Sequence, residues 1–163
     1  MSRNTIRLDV ERLIKQIGST NPFEIFNYMN VIVQYDELGK DILGYTLCYK
    51  DVIIIVLNSR LSESEKYITA CHELGHVICG HSLNAEFLRR SNLTYVRRGN
   101  EYEANVFMIE LLTYGVNVAC FPSKEQLLKN CNVPEWAERY VDWNYLRLNA
   151  DFKSFDSIYS LKM

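Results

Sequence analysis

A chain of 163 residues, 48% hydrophobic and 23% charged, suffices for one compact domain spanning 1–163 that buries a core unaided. Lys plus Arg total 18 against 20 for Asp plus Glu, and the formal charge of -2 supplies no global basic field to gather phosphates, which disfavours direct nucleic-acid binding. Met1 to Asp9 lacks the apolar run of a signal peptide and no segment nears the about 18 apolar residues of a membrane span, which predicts a cytoplasmic protein.

From about Thr5 to Ile17, residues Ile6, Val10, Leu13, Ile14 and Ile17 recur at helical spacing, and Gly18 is a natural stop. Asn21-Pro22-Phe23-Glu24 supplies a cap, a proline at the first helical position and an early acid, opening a second helix through Ile25, Phe26 and Met29. Val31 to Tyr35, Leu43 to Tyr49 and Val52 to Leu57 are β-branched or aromatic runs, the last two parted only by Lys50-Asp51 as in a hairpin. Val52 to Leu57 is apolar at every position, which predicts helices over both of its faces.

Ser62 and Glu65 form a capping box for a long helix through Ile68, Cys71, Leu74 and Ile78, ended by Gly80. A less regular stretch, Ser82 to Asn100, carries Arg89, Arg90, Arg97 and Arg98, read as a solvated loop with an acidic substrate segment as the alternative contact. A helix follows over Glu101 to Tyr114, then a short one capped by Ser123. A final helix begins near Pro134, with Trp136, Tyr140 and Trp143 on one stripe, read as core with a docking surface as the alternative. The five cysteines, Cys48, Cys71, Cys79, Cys120 and Cys131, fit no disulfide framework and read as reduced, mostly buried thiols; Cys71 and Cys79 read as small hydrophobes. The expected class is α+β: a short three-stranded, mainly antiparallel sheet packed with helices, with a helical C-terminal part from about 122.

The residues that carry chemistry are His72-Glu73-Leu74-Gly75-His76, on the long helix. Two imidazoles four residues apart share one helical face and can grip one ion, with the intervening Glu beside it. A catalytic zinc takes three protein ligands and leaves a fourth position open, so a third donor is required. Glu101-Tyr102-Glu103-Ala104-Asn105 begins 25 residues after His76 and sets Glu101, Ala104 and Asn105 on one face. Glu101 can ligate, Ala104 is small enough for close helix approach, and Asn105 can hydrogen-bond the far nitrogen of a ligating histidine. Glu103, about 200° around the helix from Glu101, ranks second as a ligand. His81, the only other histidine, lies past Gly80 and reads as a helix-end or surface residue. Tyr95, Tyr102 and His81 are unranked candidates for stabilising an oxyanion.

His72-Glu73-Leu74-Gly75-His76 followed by Glu101-x-x-Ala104-Asn105-x-Phe107 resembles the ImmA/IrrE family of zinc metallo-endopeptidases, within the wider gluzincin group, over roughly Thr5 to Val141. The chain departs from the family where Leu111-Leu112-Thr113-Tyr114-Gly115 replaces a Leu-Leu-x-Pro pattern. The resemblance implies a small zincin-like fold, one catalytic Zn2+ on His72, His76 and Glu101, and Glu73 as general base toward a metal-activated water. It also implies a protein substrate, a helix-turn-helix repressor of a mobile element or stress regulon, held along an exposed edge of the sheet that includes Val52 to Leu57. The rival reading is a non-catalytic binding module on the same scaffold that sequesters a repressor or toxin partner.

Overall fold

A computed structural model describes residues 1–148; the rest of the expected domain, 149–163, lies outside the described residues. The first helix, α1 (Arg3–Ile17), buries Ile6, Val10 and Ile14 and ends on Gly18, whose left-handed φ of 81° lets its N–H reach the Ile14 carbonyl. Asn21 caps α2 (Pro22–Tyr28) by accepting from the Phe23 N–H.

Strands β1 (Ile32–Asp36), β2 (Ile42–Tyr49) and β3 (Val52–Asn58) follow as expected, and β2 and β3 are joined by a two-residue turn. Both turn residues, Lys50 and Asp51, have positive φ (48° and 65°), the backbone that matches a tight hairpin to the strand twist. The strand number needs correction: among the described residues the sheet has four strands, not three, in the order β1-β3-β2-β4; two of its pairings are antiparallel, while β1 runs parallel to β3, so the sheet is mixed. The added strand, β4 (Asn84–Arg89), pairs with β2 across two register shifts. An edge strand with broken register carries little of the period-two pattern that marks a strand in sequence. β3 is therefore interior, and the open edge beside β2 belongs to β4.

The face of β3 carrying Ile53, Ile55 and Leu57 packs into the main core, which takes in residues from Ile6 to Leu146. The opposite face is covered only toward its end: Val56 is buried, Ile54 half-buried and Val52 exposed, so the expected double cover is incomplete.

The Ser62–Glu65 capping box starts α3 (Glu63–Ile78). Helix α4 (Asn100–Leu112) buries Ala104 through Leu111 and crosses α3 closely. At Gly75 an added Cβ would stand 2.8 Å from the Ala104 carbonyl oxygen and 2.9 Å from its Cα, so only glycine permits this approach. On its other side α4 holds α1 through Glu110, which accepts two bonds from the Arg7 guanidinium at 2.7 and 2.8 Å. Asp142 accepts a third from Arg7 at 3.1 Å.

Ser123 caps α5 (Lys124–Asn130) as its position predicts, by accepting from the Gln126 N–H. The single helix expected from Pro134 is two pieces, a 3-10 segment Glu135–Tyr140 and a helical turn over 143–148, separated by extended backbone at Val141. The break lets Tyr140 bury completely while Trp136 and Trp143 stay partly exposed. All five cysteines are free; Cys71 and Cys131 are buried and Cys79 half-buried, whereas Cys48 and Cys120 are exposed, contrary to the expectation of mostly buried thiols.

Candidate metal centre

Helices α3 and α4 bring three donor atoms to one point. His72 Nε2 and His76 Nε2, one turn apart on α3, are 3.0 Å from each other. Glu101, in the first turn of α4, sets Oε2 3.4 Å from His72 Nε2 and Oε1 3.3 Å from His76 Nε2. A tetrahedral zinc with bonds of about 2.0–2.1 Å spaces its donors by about 3.3 Å, so all three separations are near that value. These residues could hold a metal ion, and the donor set of two imidazoles and a carboxylate suits zinc.

The bonds outside the cluster fit the same occupant. His72 Nδ1 lies 2.9 Å from Asn105 Oδ1, which can only accept, so His72 carries its proton there and turns the Nε2 lone pair inward. The Asn105 amide is oriented in turn by donating its Nδ2–H to the Tyr140 hydroxyl at 3.2 Å, and that hydroxyl also accepts from the Val96 N–H. Two inward lone pairs beside a carboxylate repel one another unless a cation lies among them.

Glu73 is almost fully buried, and one of its oxygens accepts a 2.7 Å bond from the Thr46 hydroxyl on β2. Burial pushes its carboxyl up, against the opposing pull of His72, His76 and Thr46. Hydrogen bonds to His72 and His76 hold the Glu101 carboxyl far below the usual carboxylate range. Burial works to lower His72, but the Glu101 bond, the Glu73 and Glu101 charges and Asn105 together leave it raised. The two carboxylates beside His72 and His76 thus differ in proton affinity, one poised to bind a proton and one to bind a cation.

The IrrE N-terminal-like domain of the M78 peptidases matches residues 30–116, just over half of the chain. The chain belongs to that family. A Bacillus phage phi105 protein described as "uncharacterized immunity region protein 2" is 36% identical over 107 residues, covering 66% of this chain and 67% of the phage protein. In this M78-family chain, His72, Glu73, His76, Glu101 and Asn105 all fall within the matched span, as does Thr46, whereas Tyr140 lies outside it.

In the sequence Thr46 carries no signal beyond its place on an inward-facing strand position, and Tyr140 none beyond its place in an apolar stripe. His81 is not the surface residue expected from its place past Gly80. The side chain is 5% exposed, its Nδ1 is 2.9 Å from His76 Nδ1 and its Nε2 is 3.0 Å from Glu103 Oε2. Glu103, the second-ranked ligand, is thus engaged with His81, and it also pairs with the Met1 ammonium. Cys79, His81 and Glu103 form a second trio whose donors lie within 4.8 Å of one another. Tyr95 and Tyr102 pack their rings toward Tyr140 at 4.9 and 6.0 Å. Arg89 and Arg90 are ion-paired to Asp41 and Glu65. No helix among the described residues is long and apolar enough to cross a membrane.

A cavity of about 420 Å3 opens beside His72, with apolar walls from Leu43, Ile68, Leu88, Val133 and Trp136. A second, of about 220 Å3, is lined by Arg7, Glu110 and Tyr145 and shares no residue with the metal cluster.

Proposed function

We propose that this M78-family chain is a zinc-dependent endopeptidase that cleaves a regulatory protein, with a helix-turn-helix repressor of a mobile element or stress regulon as the substrate class. The observation that carries the reading is the convergence of His72, His76 and Glu101 at zinc-ligand spacing, with the buried Glu73 carboxylate alongside. The immunity-region description of the phage relative supports a substrate tied to a mobile element.

Zinc held by these residues would supply Lewis acidity, lowering the pKa of water to about 7 and polarising a peptide carbonyl. Glu73 accepts the proton of the attacking water as the C–O bond forms, then returns it to the departing amine as the peptide C–N bond breaks, and no covalent enzyme intermediate arises. Thr46 keeps one carboxylate oxygen of Glu73 occupied, which aims the other. Because β3 is interior, the sheet's edges are β1 and β4; β4 is the edge on the side of the site, since its Leu88 lines the cavity beside His72, and that cavity is of a size to take an apolar side chain of an extended peptide.

The test is co-expression of the protein with a repressor encoded beside its gene, followed by mass spectrometry of the repressor. Cleavage by the wild type, and its loss in Glu73→Gln with zinc retained, is the expected result. An unchanged biological effect of Glu73→Gln would instead support the sequestering module.

A further inference from the structure

We propose that His81 is a positioning residue for the metal centre, fixing the tautomer and ring orientation of His76 through a relay that ends on Glu103. The inference rests on the metal-centre reading above. It begins with how α3 ends. Gly80 takes a left-handed φ of 71°; its N–H bonds the Val77 carbonyl, and the His81 N–H bonds the His76 carbonyl at 3.1 Å. This pair of bonds is the Schellman arrangement, which folds the second residue past the cap back over the last turn. His81 therefore returns to the side of the helix that carries His76 instead of running off into solvent.

Counting protons then leaves one arrangement. His76 directs Nε2 at His72 and Glu101, so its proton is on Nδ1 and is donated to His81 Nδ1 at 2.9 Å. His81 must then carry its own proton on Nε2, where Glu103 Oε2 accepts it at 3.0 Å. Every donor in the series meets an acceptor. A carboxylate at the far end polarises both imidazoles and makes His76 a stronger donor to a cation. His72 is served by Asn105 on α4, and His76 by Glu103 on the same helix through His81, so α4 orients both histidines while contributing Glu101 itself.

The same count argues against a second metal on Cys79, His81 and Glu103. An ion there would take the lone pair of His81 Nε2, the nitrogen beside Glu103, and move the ring proton to Nδ1. That proton would face the Nδ1–H of His76 across 2.9 Å, two donors with no acceptor between them.

Cobalt titration of the purified full chain, by chelator competition and visible absorption, tests the proposal without any substrate. The expected result is one tight cobalt per chain in the wild type and in Cys79→Ser, with the same spectrum. His81→Phe keeps an aromatic ring but no acceptor, and its cobalt affinity falls about 10- to 100-fold with altered band intensities. Glu103→Gln still accepts the hydrogen bond from His81 but carries no charge, and gives a smaller loss in the same direction. Unfolding of the metal-free variants near the wild-type temperature separates positioning from general damage. Wild-type affinity and spectrum in both His81→Phe and Glu103→Gln overturn the relay while leaving the metal centre standing. A second cobalt equivalent with thiolate character, lost in Cys79→Ser, overturns it in favour of a second metal site. No cobalt binding by the wild type overturns the metal centre and the relay together.

Discussion

Replacing Gly75 with alanine sets two effects of known sign against each other. Alanine is the better helix former by about 1 kcal/mol. At this position, however, the new methyl would lie 2.8 Å from the Ala104 carbonyl oxygen, 2.9 Å from the Ala104 Cα and 3.2 Å from the Phe107 Cβ. Normal contact begins near 3.4 Å, so α3 and α4 must part by roughly half an ångström, and overpacking of this kind costs about 1–3 kcal/mol. Because the two closest atoms belong to the backbone, no rotamer change relieves the clash, and the cost belongs at the upper end of that range. The expected net loss is about 1–2 kcal/mol, or about 2–8 °C in Tm for a chain of this size. Zinc affinity should fall with it, since Glu101 and Asn105 ride on the displaced helix. Thermal unfolding followed by circular dichroism, with and without zinc, measures both effects. Adding Ala104→Gly should not restore stability, because it removes neither backbone atom. A metal-free Tm for Gly75→Ala equal to or above the wild type would refute the close-approach argument.

Glu101→Ala should lower zinc content and the zinc-dependent part of stability together; full occupancy in that variant, measured by elemental analysis, would mean another residue is the third ligand. Glu73→Gln should raise the Tm of the metal-free protein near pH 7. Burial raises this carboxyl, so its contribution to stability is present below the ordinary value of about 4.3 and is lost as pH rises toward the raised one. The neutral amide avoids that loss, and its advantage should vanish in a melt near pH 4. Glu110→Ala should cost about 1.5–3 kcal/mol in denaturant unfolding, because it removes the acceptor of two Arg7 bonds and a partner of Arg3, while Asp142 and the Tyr145 ring still hold the half-buried Arg7 guanidinium. Iodoacetamide at pH 8 should label the exposed Cys48 and Cys120 first; Cys79, whose thiol burial pushes up to about 11, and the buried Cys71 and Cys131 should lag, as read by peptide mass spectrometry.

The helices, and the grouping of His72, His76 and Glu101, are legible because their signals are local. A capping box, a left-handed glycine and two histidines one turn apart each act within a few residues, and Glu101 follows from a face shared with Ala104 and Asn105. What the sequence hid depends on long-range pairing. β4 is a strand because β2 offers it a partner, and its two register shifts erase the alternation that would have marked it. Thr46 reaches Glu73 across 27 positions in sequence, and Tyr140 reaches Asn105 across 35. His81 is a different case. The glycine that ends α3 was recognised, but not that this kind of ending turns the next residue back toward the helix it follows.

The Arg7–Glu110 bond has a bearing on where the working unit ends. The span matched to the M78 peptidases runs from 30 to 116 and includes His72, His76, Glu101 and Glu73, yet α1 lies before it and Tyr140 after it. Cut down to that span, the polypeptide would keep each of these four residues and lose the guanidinium that neutralises Glu110, along with the phenol that holds Asn105. The matched segment is thus smaller than the set of residues that hold its buried polar groups, and excised fragments should be built outward to include both flanks.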